Sequence, residues 1–339
     1  MLALDVTPKS AHELRPACRV GLVAVSVCIA NWNCVELLRR CLQSLYDLPQ
    51  GVPFEVVITD NGSTDGAADM VAAEFPDVQL IRNAQNLGFS RANNQAAALA
   101  TGAYYFFLNN DTELEPYTLL RLMDVADGLP NLGMLGPKLR GSTGEVQISY
   151  RSRPTIAALL HRVSVLRWTG LFRQAYYQYR RDTFHEHGTR TVDVLMGAAV
   201  LLPRTVFQAV GQWDEQYRFG AEDLDLSTQV AKHGDVIYTS DVEVLHHGRV
   251  SSRANVGFAA PNVAIGYVRY FRKAGERHFA LFLYKLLVTI DTPLQLMGKL
   301  AEGAARKLRG QHFKAAKSWN SAEGLWRFMR TDLFRFWMA

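Results

Sequence analysis

The chain has 339 residues, 48% of them apolar and 20% charged, enough for one large packed domain or two medium ones. Its net charge of +5 is uneven: from Phe271 onward thirteen Lys and Arg face five Asp and Glu, a net +8 that leaves −3 for the remainder. A slightly acidic body argues against a nucleic-acid-binding protein. The four cysteines (Cys18, Cys28, Cys34, Cys41) have no zinc spacing and suit neither a disulfide framework nor a zinc site, which fits a reducing, cytoplasmic setting.

Residues 1–22 lack a long apolar core, carry Asp5 and Glu13, and read as an N-terminal arm rather than a signal peptide. The apolar, β-branched run Val23–Ala30 predicts a buried parallel strand. Val35, Leu38, Leu42, Leu45 and Leu48 then recur at helical spacing. Phe54–Thr59 predicts a second strand, and Ser63–Asp65 caps a helix running to about Phe75. Val78–Ile81 predicts a third strand, and Ser90–Ala100 a helix stopped by Gly102. Tyr104–Leu108 predicts a fourth strand, with Pro116 opening the next helix. This alternation implies an α/β domain with a mostly parallel sheet.

The second half is less regular. Residues 141–190 are polar and Arg-rich and read as a long connection with some helix around 155–170. Regular structure resumes at Val192–Leu202, followed by helices from Pro203 and over Glu222–His233. Val236–Thr239 and Val242–Leu245 predict two further strands, and from Pro261 the pattern is helical to the end. The organisation expected is an arm (1–22), a first half (23–140), a second half (141–275) and a basic, amphipathic helical region (276–339).

Three predicted strands end in polar clusters: Asn31-Trp-Asn33, Asp60-Asn-Gly-Ser-Thr-Asp65 and Asn109-Asn-Asp111. In a parallel sheet the carboxyl ends share one edge, where ligands bind. Neither a Gly-x-Gly-x-x-Gly nor a P-loop sequence is present, which argues against a redox dinucleotide and a P-loop nucleotide. A carboxylate such as Asp111 tolerates phosphate through an intervening cation, and a bound Mg²⁺ or Mn²⁺ satisfies both charges. Two more clusters carry chemistry, Glu222-Asp-Leu-Asp225 and His246-His247. Each also has a plain structural explanation: a turn at Asp111, a helix dipole for the 222–225 acids, a strand end for the histidines.

Val25-Ser-Val…Asn33, Asp60–Asp65, Asn86-Leu-Gly-Phe-Ser-Arg-Ala-Asn-Asn94, Leu108–Thr112, Met196-Gly-Ala-Ala…Trp213-Asp-Glu-Gln-Tyr217, Glu222–Asp225 and His246-His-Gly248 resemble, in order and spacing, the family 2 inverting glycosyltransferases of GT-A fold. The rhamnosyltransferase-like bacterial members are most similar, and the resemblance spans roughly residues 23–275. It implies a Rossmann-like, mostly parallel sheet flanked by helices. The nucleotide subsite is expected from Ala30, Asn31, Asn33, Asp60, Asn86, Arg91, Asn94, Asn109 and Asn110, with Asp60 on the base. Asn-Asn-Asp replaces the family's Asp-x-Asp, so Asp111 is the implied metal residue. A late histidine joins it, His246 or alternatively His247. Asp223 matches the catalytic base, with Glu222 beside it. Arg253, Lys273 and Trp213 are expected at the diphosphate or acceptor.

The implied reaction takes a sugar, such as a deoxyhexose, from a dTDP- or UDP-sugar to a glycan or lipid-linked acceptor. Rival readings are a sugar nucleotidyltransferase, against which the position Ala30–Asn33 lacks a Gly- and Arg-bearing loop, and a nucleotide-sugar-binding pseudoenzyme, favoured by Asn109. Phe279–Ile290 is too short to span a bilayer, but basic residues and late aromatics follow it, from Lys299 to Trp337. That pattern suits an anionic membrane surface on the cytoplasmic side. It also suits a helical cap or a homo-oligomer interface.

Overall fold

A computed structural model describes residues 23–180, 184–248 and 256–339. The arm at 1–22 and Arg253 lie outside the described residues.

The first half follows the periodicities closely. Strands β1 (Val25–Asn31), β2 (Phe54–Asp60), β3 (Gln79–Arg82) and β4 (Tyr104–Leu108) pair in parallel in the order β3-β2-β1-β4. Helices α1 (Val35–Tyr46), α2 (Ala67–Glu74) and α3 (Phe89–Leu99) connect them. Alternation of side chains along each strand feeds two cores. Val25, Val27 and Ile29 pack with Leu38, Leu42, Met70 and Val71. Cys28, Val57 and Phe107 pack with Ala96 and Ala97. Both faces of β1 are therefore dry, which is why its sequence reads as continuous apolar rather than alternating.

Beyond β4 the sheet departs from the expected plan. β5 (Thr112–Leu114), α4 (Thr118–Asp127) and β6 (Leu132–Arg140) follow in the chain. β6 has no counterpart among the predicted elements, and its run contains Gly133, Gly136 and Pro137. The glycines admit close neighbours: a Cβ at Gly133 would lie 2.7 Å from Val230, and one at Gly136 2.6 Å from Leu195. The segment 141–190 holds β7 (Tyr150–Arg151), α5 (Ile156–Leu160), α6 (Ser164–Thr169) and α7 (Arg173–Arg180), then β8 (Arg190–Thr191). The regular segment expected at 192–202 is two strands, β9 (Val194–Leu195) and β10 (Ala199–Pro203), separated where Met196-Gly197-Ala198 bends away from the ladder. After α8 (Arg204–Ala209) and α9 (Glu222–Val230), a single strand β11 (Asp235–His246) replaces the two expected. Its register shifts between Thr239 and Glu243, where Ser240-Asp241 interrupts the apolar run.

The nine-stranded sheet runs β3-β2-β1-β4-β10-β6-β11-β5, with β8 also on β11, and β7 and β9 form a separate ribbon. β10 enters antiparallel between β4 and β6, while β6 and β11 are parallel. The C-terminal part is helical: α10 (Val256–Lys273, containing Pro261), α11 (His278–Leu308), α12 (His312–Arg327), a π-turn over Phe328–Asp332, and α13 (Leu333–Met338). It shares a third core with α5 and α9 through Leu159, Leu224, Phe271, Tyr284 and Phe336.

Phe207 of α8 is buried, with its ring 4.9 Å from Phe107 and 5.5 Å from Tyr105. Phe207→Ala is expected to lower unfolding free energy by about 3–5 kcal/mol, read from urea denaturation midpoints at unchanged slope.

Candidate active site

A cavity of about 990 Å³ opens at the carboxyl edge of the sheet. Its wall takes Ala30, Asn31 and Trp32 from the end of β1, Asn61 after β2, Asn86, Gly88 and Phe89 before α3, and Asn109, Asn110 and Asp111 after β4. The opposite wall comes from Arg151, Met196–Ala198, Glu222 and Asp223, and His246 and His247 close one end.

The amides form a linked floor. Asn110 donates from Nδ2 to Asn31 Oδ1 at 2.7 Å, and Asn31 donates from Nδ2 to Asp60 Oδ1 at 2.9 Å. Asp60 Oδ2 accepts from the Ser63 N–H. Asp60 is therefore buried behind Asn31 and is not part of the wall. Asn61 donates to Asn86 Oδ1 at 3.0 Å. Asn61 and Trp32 are wall residues that the sequence reading did not select, although each adjoins one that it did.

Asp111 and His246 meet through strand pairing. β5 runs antiparallel to β11 with Thr112 opposite His246, so Asp111 emerges beside the histidine. The His247 N–H donates to the Asp111 carbonyl at 2.9 Å. His246 Nε2 lies 3.4 Å from Asp111 Oδ1. The other ring nitrogen, Nδ1, is 2.8 Å from Gln147 Oε1, and Gln147 donates from Nε2 to the His246 carbonyl. With Nδ1–H on that amide oxygen, the Nε2 lone pair points at the Asp111 side. His247 instead contacts Glu113 at 2.6 Å. Of the two histidines, the geometry favours His246 as the partner of Asp111. This oxygen–nitrogen pair fits a divalent cation. No cluster of three or more acidic, His or Cys side chains is present among the described residues, so a cation would complete its shell from substrate oxygens and water.

Glu222 and Asp223 open α9. Ala221 before them has φ +71, a strained conformation for a residue with a Cβ, and it turns the chain so that the first helical turn faces the cavity. Asp223 is ion-paired with Arg151 of β7, whose Nη2 lies 3.1 and 3.2 Å from the two carboxylate oxygens. Glu222 Oε2 is shielded from solvent and has no hydrogen-bond partner among the described residues. Burial, followed by the charge of Asp223, pushes the Glu222 carboxyl up to about 8. The two neighbouring acids thus sit in unlike environments, one in direct contact with a cation and one buried with an oxygen that has no hydrogen-bond partner among the described residues.

Several expected residues are not on this wall. Asn33 accepts from Thr64 N–H at 2.8 Å in the loop beyond it. Arg91 is exposed, 3.8 Å from Glu215. Asn94 is bound to both backbone groups of Trp213, at 2.9 and 3.1 Å, and so holds a loop. Trp213 is itself core, edge-on to Phe89 and Phe107, because burying an indole outweighs leaving it at a rim. Lys273 pairs with Asp225 at 2.8 Å and Asp214 at 3.1 Å, nearer acids than any in the cavity. Among the described residues, the wall's arginines are Arg151, Arg180 and Arg218. All three come from segments without periodicity, which gave no sequence signal for them.

The fold is that of the GT-A glycosyltransferases. It aligns with GalNAc-T7 solved with UDP, GalNAc and Mn²⁺ only in architecture: TM-score 0.54, 17% identity, 75% of this chain and 48% of that one. A mannosyltransferase from Pyrobaculum calidifontis, in complex with GDP-Man and Mn²⁺, gives TM-score 0.51 and 20% identity over 97% of this chain and 90% of that one.

Residues 26–192 match the model of glycosyl transferase family 2. The chain is also 34% identical to the N-acetylglucosaminyl-diphospho-decaprenol L-rhamnosyltransferase of Mycobacterium tuberculosis over 292 residues, 82% of this chain and 92% of the relative. It is 28% identical to the O-antigen biosynthesis protein RfbC of Myxococcus xanthus over 69% of this chain and 18% of that one. The protein belongs to glycosyl transferase family 2 and is a rhamnosyltransferase-like glycosyltransferase, which sets aside the nucleotidyltransferase reading.

An acid raised in the folded state holds a proton that the unfolded chain releases, so its contribution to stability is lost as pH rises from the normal Glu range toward 8. The wild type is expected to lose stability relative to Glu222→Gln across pH 5–8. The slope should be no steeper than about 1.4 kcal/mol per pH unit, measured by denaturation at each pH.

Proposed function

We propose that the protein transfers a deoxyhexose such as rhamnose from a dTDP- or UDP-linked donor to a hydroxyl of a lipid-linked or glycan acceptor, with inversion. The observation that carries this reading is the convergence of Asp111, His246 and Asp223 on one cavity from three distant parts of the chain. The deoxyhexose and the diphospho-lipid acceptor are supported by the relative, an L-rhamnosyltransferase acting on N-acetylglucosaminyl-diphospho-decaprenol.

In this reading Asn31, Asn61, Asn86, Asn109 and Asn110 offer neutral amide donors and acceptors to the nucleotide. They bring no negative charge near a diphosphate. Asp111 and His246 would hold Mg²⁺ or Mn²⁺, which supplies neutralisation of the charge on the leaving diphosphate. Asp223 accepts the proton of the acceptor hydroxyl as the new glycosidic C–O bond forms. The bond from the anomeric carbon to the diphosphate oxygen breaks, and the nucleoside diphosphate leaves with that electron pair. A single displacement gives inversion.

The test is release of nucleoside diphosphate from dTDP-L-rhamnose and from UDP-sugars, with and without Mn²⁺. Asp223→Asn is expected to lose ~10²–10⁴ in kcat with donor binding kept. Full turnover by that variant removes Asp223 from its role. Binding of a donor without turnover by the wild type supports the pseudoenzyme reading instead.

We further propose that the enzyme works on the cytoplasmic face of a membrane, held there by its C-terminal helices. By length and composition α11 is able to cross a membrane: 31 residues, with a window of mean hydropathy 1.3. The apolar run quoted from the sequence understated it, because the helix continues to Leu308. Yet Lys285 and Asp291 on it are buried against protein, Lys285 donating to the Trp337 carbonyl and Asp291 accepting from the Ser164 N–H. Phe279, Phe282, Leu283, Ile290, Leu294 and Met297 leave an exposed stripe at helical spacing. One packed face and one bare apolar face suit a helix lying in the membrane plane, with the following basic residues on anionic headgroups. Leu294→Asp combined with Met297→Asp is expected to reduce binding to phosphatidylglycerol-containing vesicles about tenfold in a flotation assay, with turnover on a water-soluble acceptor kept. Unchanged flotation of that variant removes the stripe from its role.

A further inference from the structure

We propose that Arg151 is the positioning residue for the base of this site: its guanidinium bridges both oxygens of the Asp223 carboxylate and fixes their plane, so that the oxygen not also held by the Leu224 N–H keeps capacity for the acceptor hydroxyl. The inference rests on the reading of Asp223 as base.

The geometry is asymmetric. Asp223 Oδ1 accepts from Arg151 Nη2 at 3.1 Å and from the Leu224 N–H at 2.8 Å. Oδ2 accepts, among the described residues, from the same Nη2 alone, at 3.2 Å. A carboxylate oxygen accommodates about two donors, so Oδ1 is full and Oδ2 is the atom able to take a proton. Met196 Sδ, 3.0 Å from Nη1, and the buried wall around it fix the plane of the guanidinium.

Arg151 is poorly explained as a structural arginine. Its side chain is 7% exposed, and its Nε is buried without a partner among the described residues. Taking a guanidinium out of water costs several kcal/mol unless it is well paired, and a purely structural site would satisfy its donors. Asp223 is the one carboxylate in ion-pair contact with it among the described residues. The residue is also rigidly carried. Arg151 pairs with Val194 in the β7–β9 ribbon, and neighbouring Tyr150 packs 4.8 Å from the Tyr238 ring. The ribbon thus reaches from β11 to α9, where the Leu195 N–H donates to Ser227 Oγ and Arg151 reaches the first turn at Asp223. Glu222, one residue away, has no such ion pair among the described residues, so the cation also distinguishes which of two adjacent acids acts as the base.

The experiment compares Arg151→Ala, Arg151→Lys and Asp223→Asn with the wild type, using dTDP-L-rhamnose and a short-chain N-acetylglucosaminyl-diphospho-lipid. Arg151→Ala is expected to lose ~10²-fold in kcat with donor KM within about threefold, and free guanidinium ion is expected to restore part of the loss. Arg151→Lys, which keeps charge without the planar fork, is expected to fall between. In an Asp223→Asn background, Arg151→Ala should add less than about threefold, because the two residues act as one unit. The inference is overturned by an Arg151→Ala kcat within about threefold of wild type, by a loss confined to KM, or by an undiminished loss in the Asp223→Asn background. Should the Ala variant not fold, wild-type kcat in Arg151→Lys overturns the orienting role, and an intermediate kcat upholds it. Full turnover by Asp223→Asn defeats the base assignment itself, an outcome distinct from failure of the Arg151 role.

Discussion

The antiparallel pairing of β5 with β11 is the constraint on which the site depends. Three residues, Thr112–Leu114, add a short edge strand beside His246. That ladder holds a carboxylate from the first half of the chain against an imidazole from the second. A slip of one residue would turn the pairing side chains to the other face. Gln147 grips both the ring and the carbonyl of His246, so the imidazole is fixed from outside the pair as well. The geometry of this pair is thus delivered mostly by backbone hydrogen bonds, which are less mobile than long side chains.

A second principle is the unequal treatment of like groups. Asp60, Asp111, Glu222 and Asp223 are all acids near one cavity edge, and each has a different companion. Asp60 meets amide and backbone donors, Asp111 an imidazole, and Asp223 a guanidinium, while Glu222 Oε2 is buried with no hydrogen-bond partner among the described residues. Burial makes such companions decisive, because the same charges in water would differ little.

The C-terminal helices add a surface of another kind. α11 uses one side to complete the third core and bury Lys285 and Asp291, and leaves the other side apolar. Such a face resembles neither a satisfied core helix nor the polar exterior of a soluble domain, and its proximity to α5 and α6 couples it to the same half of the protein that carries α9.

The four parallel strands and their helices were legible in the sequence because buried strands and amphipathic helices impose short-range periodicities of their own. Asp111 and His246 were legible as polar groups that end apolar runs, and Asp223 as part of an acidic cluster opening a helix. β6, whose run carries glycines that serve close packing, had no predicted counterpart, and the 192–202 segment is divided by a bend that only the cavity explains. Asn94, Trp213 and Lys273 carried chemically suggestive side chains, but nearer partners claimed them: a loop backbone, an aromatic core and two acids. Arg151 gave no signal at all, since its meaning comes from Asp223, far along the chain. Local pattern, set by how each segment hides its apolar atoms, was written in the residues themselves. Which charge stands beside which was decided only when the folded chain brought distant segments within hydrogen-bonding distance.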